Sequence, residues 1–350
     1  MGPVTDIRNL SFAELRAELG RWGEADFRAK QVFDWVYRKG AESFAAMTDL
    51  PKSLRQRLEE KFQFAVLELA EKLRSEDGTE KFLFRLTDDR LIETVLIPSR
   101  GRRTLCLSTQ VGCKFACVFC ASGAGGFERN LLPSEMLGQV LFLRDRFDVG
   151  LTNFVFMGMG EPLDNLDNLI RTIRLMNSPE GMGIAARRIT ISTVGIVPAI
   201  EKLEGLGLQV KLSLSLHATT EELRSRLLPI NRKYPLAQVI KAGAHYARAT
   251  GRMMTIEYIL ISGLNDSAAD ARRLASLARK LRAKINLIPY SPGCGLELAA
   301  SSGPRQLAFL QTLESLGVRA TIRRSKGGDI RAACGQLAGK KWGHDTQFRN

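Results

Sequence analysis

Three of the six cysteines in this 350-residue chain lie within eight consecutive residues. They form the pattern C-x3-C-x2-C, with Cys113, Cys117 and Cys120 at its three positions. A disulfide needs two thiols and a closed zinc site needs four ligands, so a triplet indicates a metal centre with one position open. The centre could be zinc, with His217 or Cys106 as fourth ligand, or a four-iron cluster with one iron free of protein ligands. The spacing and position of the triplet favour the cluster.

The composition favours a globular protein inside the cell. With 45% hydrophobic residues, the chain can bury a full core and has room for more than one domain. It has no run of about eighteen apolar residues that could span a membrane. The opening MGPVTDIRNLSFAELRAELG lacks the apolar core of a signal peptide. The cysteines are few and clustered, which argues against an oxidising compartment, so we expect a cytoplasmic location.

The chain is strongly basic, with a formal net charge of +14 and an isoelectric point near 9.8. One interpretation is a globular protein that happens to be basic. The other is a polyanionic partner, because clustered Lys and Arg gain affinity by displacing counterions from phosphates. The charge favours a nucleic acid without separating RNA from DNA. The clusters are Arg100 with Arg102 and Arg103, Arg187 with Arg188, Arg323 with Arg324 and Lys326, and Lys340 with Lys341.

The hydrophobic pattern predicts the elements that position these residues. Helices come first, and the first of them begins with a capping box formed by Ser11 and Glu14. FAVLELAEKL, TEKFLFRL and RLIETVLIP then predict the strands of a small antiparallel sheet. After Arg103, strand-like runs alternate with helical patterns such as PSEMLGQVLFLRDRF, which predicts an α/β fold with a parallel sheet or barrel. The runs are RTLCLSTQV, TNFVFMGMG, RRITISTV, QVKLSLSL, MMTIEYILI and AKINLIPY, followed by a seventh, GVRATIRRS.

Polar motifs follow most of these strands. The cysteine triplet comes after the first strand, MGMGEP ends the second and Ser192 ends the third. SLH, at residues 215–217, ends the fourth strand, and PYSP, at residues 289–292, ends the sixth. Parallel β/α folds assemble their sites at the carboxyl ends of the strands. We therefore expect these motifs to meet in one site.

The triplet resembles the signature of the radical S-adenosylmethionine superfamily, in which three cysteines hold a 4Fe-4S cluster and S-adenosylmethionine binds the open iron. GMGEP resembles the Gly-Gly-Glu element of that superfamily, which implies that Gly160 and Glu161 receive the methionine amino group. Alone, GMGEP would indicate only a turn after a buried strand, and His217 a core histidine. The contacts that the resemblance implies for the nucleoside end of the cofactor are Ser192, Ser215, Leu216 and His217.

The resemblance extends to one family, the adenine methyltransferases that modify carbon 2 in 23S ribosomal RNA and in transfer RNA. It implies a partial barrel of six β/α units with an open lateral face, which admits RNA with its target base extruded. Relatives that methylate carbon 8 of the same adenosine share much of the pattern and are the first alternative. The matching runs are, in the family's order, IETVLIP, TLCLSTQVGC, CASGAGGFERNL, VFMGMGEPLDNL, ITISTVGIVPAI, LSLSLHA, LLPINRKYPL and RRSKGGDIRAACGQLAG.

The family resemblance also implies roles for residues outside the triplet. Cys334 would accept a methyl group from one S-adenosylmethionine, and a second molecule would be cleaved to a radical, giving two per turnover. Cys106 would resolve the resulting protein–RNA adduct as a transient disulfide, and Glu93 would be the acid/base residue. Without the resemblance, Cys106 would be a small buried hydrophobe, Cys334 a surface thiol and Glu93 a charge at a strand edge.

The chain departs from the family pattern at three positions. Ser291 replaces an Asn that contacts the cofactor, Ser122 replaces the commoner Thr, and Cys294 matches no motif and is interpreted as incidental. The implied partners are 23S rRNA, tRNA, an electron donor such as a flavodoxin and a thiol reductant, and we expect a monomer. Two further alternatives are a radical enzyme acting on a small molecule and a zinc-stabilised RNA-binding protein.

The predicted domain boundaries follow from these segments. They are 1–62 for a helical accessory domain that contacts RNA, 63–98 for the small β extension, 99–330 for the radical S-adenosylmethionine core, and 331–350 for a C-terminal loop and tail that carries Cys334.

Overall fold

A computed structural model describes residues 4–147, 149–292 and 298–339. Cys294 and the predicted tail beyond residue 339 lie outside these residues. The described strands are β1 (Thr5–Asp6), β2 (Phe62–Gln63), β3 (Glu68–Arg74), β4 (Glu80–Arg85), β5 (Leu91–Ser99), β6 (Arg102–Cys106), β7 (Gln110–Gly112), β8 (Phe127–Asn130), β9 (Asn153–Phe156), β10 (Ile189–Thr193), β11 (Lys211–Ser215), β12 (Met254–Leu260), β13 (Ala283–Pro289) and β14 (Ala320–Ile322). The described α-helices are α1 (Phe12–Arg21), α2 (Phe27–Tyr37), α3 (Lys52–Lys61), α4 (Ala121–Ala124), α5 (Pro133–Phe147), α6 (Leu166–Asn177), α7 (Val197–Glu204), α8 (Glu221–Leu227), α9 (Leu236–Thr250), α10 (Ala268–Lys280) and α11 (Gly303–Ser315).

The N-terminal helices form where the sequence predicts them. The capping box at α1 is present, since Ser11 Oγ accepts from Glu14 N at 3.2 Å and Ser11 N donates to Glu14 Oε2 at 2.7 Å. Asp6 and Arg8 form a buried ion pair, in which Asp6 accepts from Arg8 Nε at 3.0 Å. Asp6 also accepts from the backbone N of Ala65, beyond the third helix, at 2.7 Å. The two ends of the helical segment are therefore tied together beside the paired strands β1 and β2.

One sheet of ten described strands forms the core, in the order β14-β13-β12-β11-β10-β9-β6-β5-β4-β3. Within this sheet, the strands from β6 through β9 to β14 pair in parallel, and those from β3 to β6 pair antiparallel. The predicted α/β class and partial barrel are confirmed, and the seventh predicted run is the parallel edge strand β14. The three predicted antiparallel strands are also present. They extend the same sheet, because β5 pairs with an edge of β6 whose backbone groups would otherwise lack hydrogen bonds.

The parallel strands are apolar because helices cover the sheet, as parallel sheets require. In β12, MTIEYIL, six of seven residues are buried, and one of them is the carboxylate of Glu257. The parallel strands therefore bury a few polar side chains, such as Glu257, among apolar neighbours. Within the described part of the chain, no helix has both the length and the apolar character needed to cross a membrane.

Candidate active site

The carboxyl ends of the parallel strands open into a cavity with an empty volume of about 830 Å³ that is continuous with solvent. Residues from the second, third and fourth parallel strands meet there with the cysteine triplet and Cys334. The predicted site residues that line it are Cys113, Cys117, Cys120, Gly160, Glu161, Ser192, Ser215, His217 and Cys334. Four predicted residues lie outside the lining: Glu93, Cys106, Leu216 and Ser291.

The β7–β8 hairpin positions the cysteine loop, residues 113–120. The run predicted as one strand is split, because Ser108 turns out of the sheet and donates through its backbone N to Gln139 Oε1 at 2.9 Å. The chain then re-pairs as β7 with β8, and Cys113 N donates to Gly126 O at 2.8 Å. At Gly112 φ is 72°, and a Cβ would lie 1.8 Å from Gly126 O, so this approach of the two strands requires glycine.

The three cysteines fit the ligand set of an iron–sulfur cluster. All are free thiols that line the same cavity. Burial raises the pKa of Cys113 to about 12 and also raises the pKa values of Cys117 and Cys120. Without a cation the thiols would therefore stay protonated, and bound iron supplies the positive charge that makes the thiolates favourable.

The zinc alternative needs a fourth ligand, for which His217 and Cys106 are the candidates predicted from the sequence. Nδ1 of His217 already accepts a hydrogen bond from Ile259 N at 3.1 Å, and Cys106 lies outside the cavity lining. Among the described residues, no three His, Cys, Asp or Glu side chains converge as ligands of one ion. The thiols are spaced as separate ligands, which suits a cluster whose cysteines bind different irons.

The Gly160–Glu161 turn is fixed by buried hydrogen bonds. At Gly160 φ is 94°, and a Cβ would lie 2.5 Å from Gln110 Cβ, so a larger residue would displace the turn. Oε1 of Glu161 accepts from Leu163 N at 3.1 Å, and Oε2 accepts from Val194 N at 2.9 Å. Burial raises the pKa of Glu161 to about 7, so its charge responds to a cationic ligand near neutral pH.

The next two strands supply hydroxyl groups and an imidazole. Ser192 Oγ and Ser215 Oγ lie 3.1 Å apart, so one hydroxyl donates to the other. Burial, with Arg224 nearby, lowers the pKa of His217 to about 3, which makes it a neutral side chain. Its backbone has a φ of 58°, held by Asn265 Nδ2 donating to His217 O at 2.9 Å. Leu216 is buried in the core and contributes its backbone N, which donates to Glu257 O at 3.1 Å.

Cys334 lies in a segment that we name the Cys334 loop, residues 326–339. The Cys334 loop contacts α4, which directly follows the cysteine loop, because Ala121 N donates to Gly335 O at 2.7 Å and Ser122 Oγ donates to Leu337 O at 2.6 Å. Cys106, at the end of β6, is buried and free. Burial, with a smaller contribution from the neighbouring Cys334 thiol, raises the pKa of Cys106 to about 12. The two thiols predicted to act together are therefore neighbours, with only Cys334 facing the cavity.

Glu93 is buried on β5, outside the cavity lining. Its Oε1 pairs with Lys81 Nζ at 3.0 Å, and both side chains are almost fully buried, with relative exposures of 0% and 1%. Its Oε2 accepts from Ala338 N at 2.6 Å and from Gly339 N at 3.0 Å. In this structure the carboxylate therefore holds the backbone of the Cys334 loop.

Ser291 also lies outside the lining, where its hydroxyl donates to Ser325 Oγ at 3.1 Å. Two charged side chains in the lining were missed from the sequence. Glu257 could have been found as a lone carboxylate in the apolar run MTIEYIL. Arg323 was assigned to a surface cluster for RNA, but it follows the end of β14 and lines the cavity. It had no distinguishing signal among neighbouring basic residues.

The parallel strands, the three-cysteine loop and the cavity between them define a radical S-adenosylmethionine enzyme. Residues 107–275 match the model of the Radical SAM superfamily. The fold also matches the crystal structure of a radical SAM methyltransferase from Sphaerobacter thermophilus, with a TM-score of 0.91, 44% identity, and coverage of 96% of this chain and 100% of that chain.

Residues 5–64 match the model of the ribosomal RNA large subunit methyltransferase N-terminal domain. A probable dual-specificity RNA methyltransferase RlmN from Gemmatimonas aurantiaca is 48% identical over 332 residues, which cover 93% of this chain and 91% of the relative. The dual-specificity RNA methyltransferase RlmN of Geobacter sulfurreducens is 46% identical over 340 residues, covering 97% and 94%. The chain belongs to the RlmN family of radical SAM RNA methyltransferases. Its cofactors are accordingly a 4Fe-4S cluster and S-adenosylmethionine.

Proposed function

We propose that this RNA methyltransferase methylates carbon 2 of a specific adenosine in 23S ribosomal RNA and in transfer RNA. The observation that carries the proposal is that Cys334 lines the same cavity as the cysteine triplet, with Cys106 as its neighbour. A radical enzyme that only abstracts hydrogen needs neither thiol. The matched N-terminal model and the names of the relatives support ribosomal RNA and a second RNA as substrates.

Carbon 2 of adenine dictates the chemistry. It lies between two ring nitrogens and is too electron-poor to attack the electrophilic methyl group of S-adenosylmethionine. A carbon-centred, nucleophilic radical can add to it instead. When bound, the cluster supplies the electron that cleaves S-adenosylmethionine to a 5′-deoxyadenosyl radical. The protein must then offer a methyl group on an atom other than the cleaved cofactor.

The residues at the strand ends bind and orient the cofactor in this proposal. Cys113, Cys117 and Cys120 hold the cluster, and Gly160 with Glu161 receives the methionine amino group. The carboxylate of Glu161 is suited to an ammonium group because both its oxygens are already fixed by backbone N–H groups. The nucleoside end is held by Ser192, Ser215, the backbone of Leu216, and His217. Ser291 is proposed only as a peripheral contact.

Cys334 carries the methyl group. Its thiolate attacks the methyl carbon of one S-adenosylmethionine, forming an S–CH3 bond as the sulfonium–methyl bond breaks and S-adenosylhomocysteine leaves. Hydrogen abstraction from that S-methyl group leaves a methylene radical on Cys334, which adds to carbon 2 and joins protein to RNA. Loss of the carbon 2 proton and of one electron, for which the bound cluster would be the acceptor, restores the aromatic ring. Glu93 is the proposed acid/base residue for these proton movements.

Cys106 releases the product. Its thiolate attacks the Cys334 sulfur, a disulfide forms, and the methylene carbon takes a proton to become the new methyl group. A thiol reductant then restores both thiols, and an electron donor such as a flavodoxin reduces the cluster. For RNA, the accessory helices offer suitable contacts: Phe27 on α2 is 56% exposed, and Arg28 lies over its ring at 4.7 Å.

Nucleoside mass spectrometry tests the proposal. Protein-free ribosomal RNA and transfer RNA are incubated anaerobically with reconstituted enzyme, reductant and S-adenosylmethionine. The wild-type protein and a Cys294→Ala control are expected to form 2-methyladenosine, and Cys334→Ala is expected to form none. Cys106→Ala is expected to accumulate covalent protein–RNA adduct.

The product identifies the reaction. Formation of 8-methyladenosine would establish the carbon-8 alternative. Cluster-loaded protein that cleaves S-adenosylmethionine but methylates no adenosine would contradict the proposal. The RNA pool that carries the product identifies the substrate.

A further inference from the structure

The Cys334 loop is held on its outer side by the antiparallel half of the sheet. The first contact is with the turn between β3 and β4, residues 75–79. One carboxylate oxygen of Asp77 accepts from Gly327 N at 3.0 Å, while the other accepts from Thr79 N at 2.9 Å. From the opposite side, Asp329 accepts from Ser75 Oγ at 2.7 Å. The turn and the loop thus each supply one carboxylate that accepts a hydrogen bond from the other segment.

The second contact is buried and involves the Lys81–Glu93 ion pair. Lys81 Nζ donates to Arg331 O at 3.3 Å, three positions before Cys334. Glu93 accepts from the backbone N of Ala338 and Gly339, which follow Cys334. One ion pair therefore fixes the loop on both sides of the thiol.

The stability of the protein alone does not explain why a buried ion pair is placed against the loop. A buried ion pair contributes little compared with apolar residues of similar size, because both charges lose their water. Burial lowers the pKa of Lys81, and the adjacent Glu93 counteracts that effect. Both side chains also form hydrogen bonds with the loop backbone, so the ion pair ties the loop to the sheet.

We propose that the 75–79 turn and the Lys81–Glu93 pair form a latch that positions Cys334 in the cavity, with Asp77, Lys81 and Asp329 as positioning residues. The proposal rests on the proposed function, in which Cys334 carries the methyl group. A methyl carrier must stand within contact of the cofactor for hydrogen abstraction, and displacement by about 1 Å can reduce such a step a hundredfold. Loosening the latch should therefore leave the rate of S-adenosylmethionine cleavage unchanged and lower the fraction of cleavage events that lead to methyl transfer.

The test compares three full-length, cluster-loaded proteins under anaerobic conditions: wild type, the double variant Asp77→Ala with Asp329→Ala, and Glu76→Ala. Both aspartates are exposed, so their loss leaves the core intact. Glu76→Ala is the matched control. It removes a charge from the same turn but keeps the backbone N, which donates to Asp329 Oδ2 at 3.3 Å.

Amide hydrogen exchange and product coupling are the two measurements. In the double variant, exchange across residues 326–339 should rise about tenfold, and Glu76→Ala should match wild type. The ratio of 5′-deoxyadenosine to methylated adenosine should rise about threefold or more in the double variant, with total cofactor cleavage within about twofold of wild type. Unchanged exchange, or increased exchange with an unchanged ratio, would overturn the latch.

A different result would contradict the proposed function. If wild-type protein forms no methylated adenosine, the methyl-carrier role is wrong. The exchange measurement still decides whether the 75–79 turn holds the loop.

Discussion

Two buried glutamates occupy comparable places in the two halves of the sheet and have opposite surroundings. Glu93, on antiparallel β5, has a lysine against one oxygen and two backbone N–H groups on the other. Glu257, on parallel β12, accepts from Asn286 Nδ2 at 3.1 Å through Oε1, and its Oε2 has no hydrogen-bond partner among the described residues. Burial raises the pKa of Glu257, and Arg323 in the same cavity counteracts that rise.

This difference between the two glutamates indicates that the two halves of the sheet have different roles. The antiparallel half satisfies its buried charges with its own chain, and so holds a loop in place. The parallel half leaves polar groups incompletely satisfied around a cavity, where a ligand can complete them. In this structure the oxygens of Glu93, in the first half, contact groups of the chain itself, whereas Oε2 of Glu257, in the second half, is available for binding.

The largest expected effect distinguishes the two carboxylates directly. Glu93→Gln leaves Lys81 buried without a counter-charge, so the free energy of unfolding should fall by about 4 kcal/mol. Glu257→Gln removes an incompletely satisfied charge and should stay within about 1 kcal/mol of wild type. Urea unfolding of the cluster-free, reduced proteins measures both. Equal losses in the two variants would contradict the division of the sheet.

The second prediction concerns pH and the parallel half. Burial raises the pKa of Glu161 from 4.5 to about 7, so its protonated form is favoured in the folded, cluster-free protein. The resulting stability is fully present below about pH 4.5 and is lost as the pH rises through 7, with a total change of about 3 kcal/mol at most.

Urea unfolding between pH 4.5 and 8 checks this change, with Glu161→Gln as the matched control. The wild-type free energy of unfolding should fall relative to that of the variant as the pH rises. Parallel pH profiles for the two proteins would show that Glu161 is not the titrating group.

The smallest effect concerns the contact between the Cys334 loop and the parallel half. Ser122→Ala leaves the buried carbonyl of Leu337 without its 2.6 Å donor and should lower the free energy of local opening by about 1 kcal/mol. Ser122→Thr keeps a hydroxyl and should restore wild-type exchange of the loop amides. If Ser122→Ala opened the loop more than loss of Asp77 and Asp329, the loop would be held mainly by the parallel half.

Local sequence patterns were sufficient for the fold and for much of the cavity. Helix α5, Pro133–Phe147, coincides with the predicted helical segment, and every predicted strand-like run contains a strand. The polar motifs after those strands meet because parallel strands bring their carboxyl ends to one edge of the sheet. Glu161 and Ser192 could therefore be placed together from sequence alone.

Contacts that depend on distant partners could not be predicted. Glu93 shows no pattern that distinguishes a strand-edge charge from a buried anchor, since its partners lie at Lys81 and at the far end of the chain. Arg323 was grouped with surface arginines because burial of a single side chain depends on the packing of several elements. The break after Cys106 was missed because residues 107–111 keep the composition of a strand, although Ser108 bonds Gln139 and β7 pairs with β8 rather than with the main sheet.

The latch also sets an order for assembly of the molecule. Its hydrogen bonds join residues from 245 to 254 positions apart, whereas β3 and β4 pair across a short turn. Closing a longer loop costs more chain entropy, by about 0.6 kcal/mol for each doubling, and requires that the distant segment already exists. A chain still emerging from the ribosome can pair β3 with β4 and expose its cysteine triplet before the latch has anything to hold. Cys334 is therefore the last of the cavity's thiols to arrive.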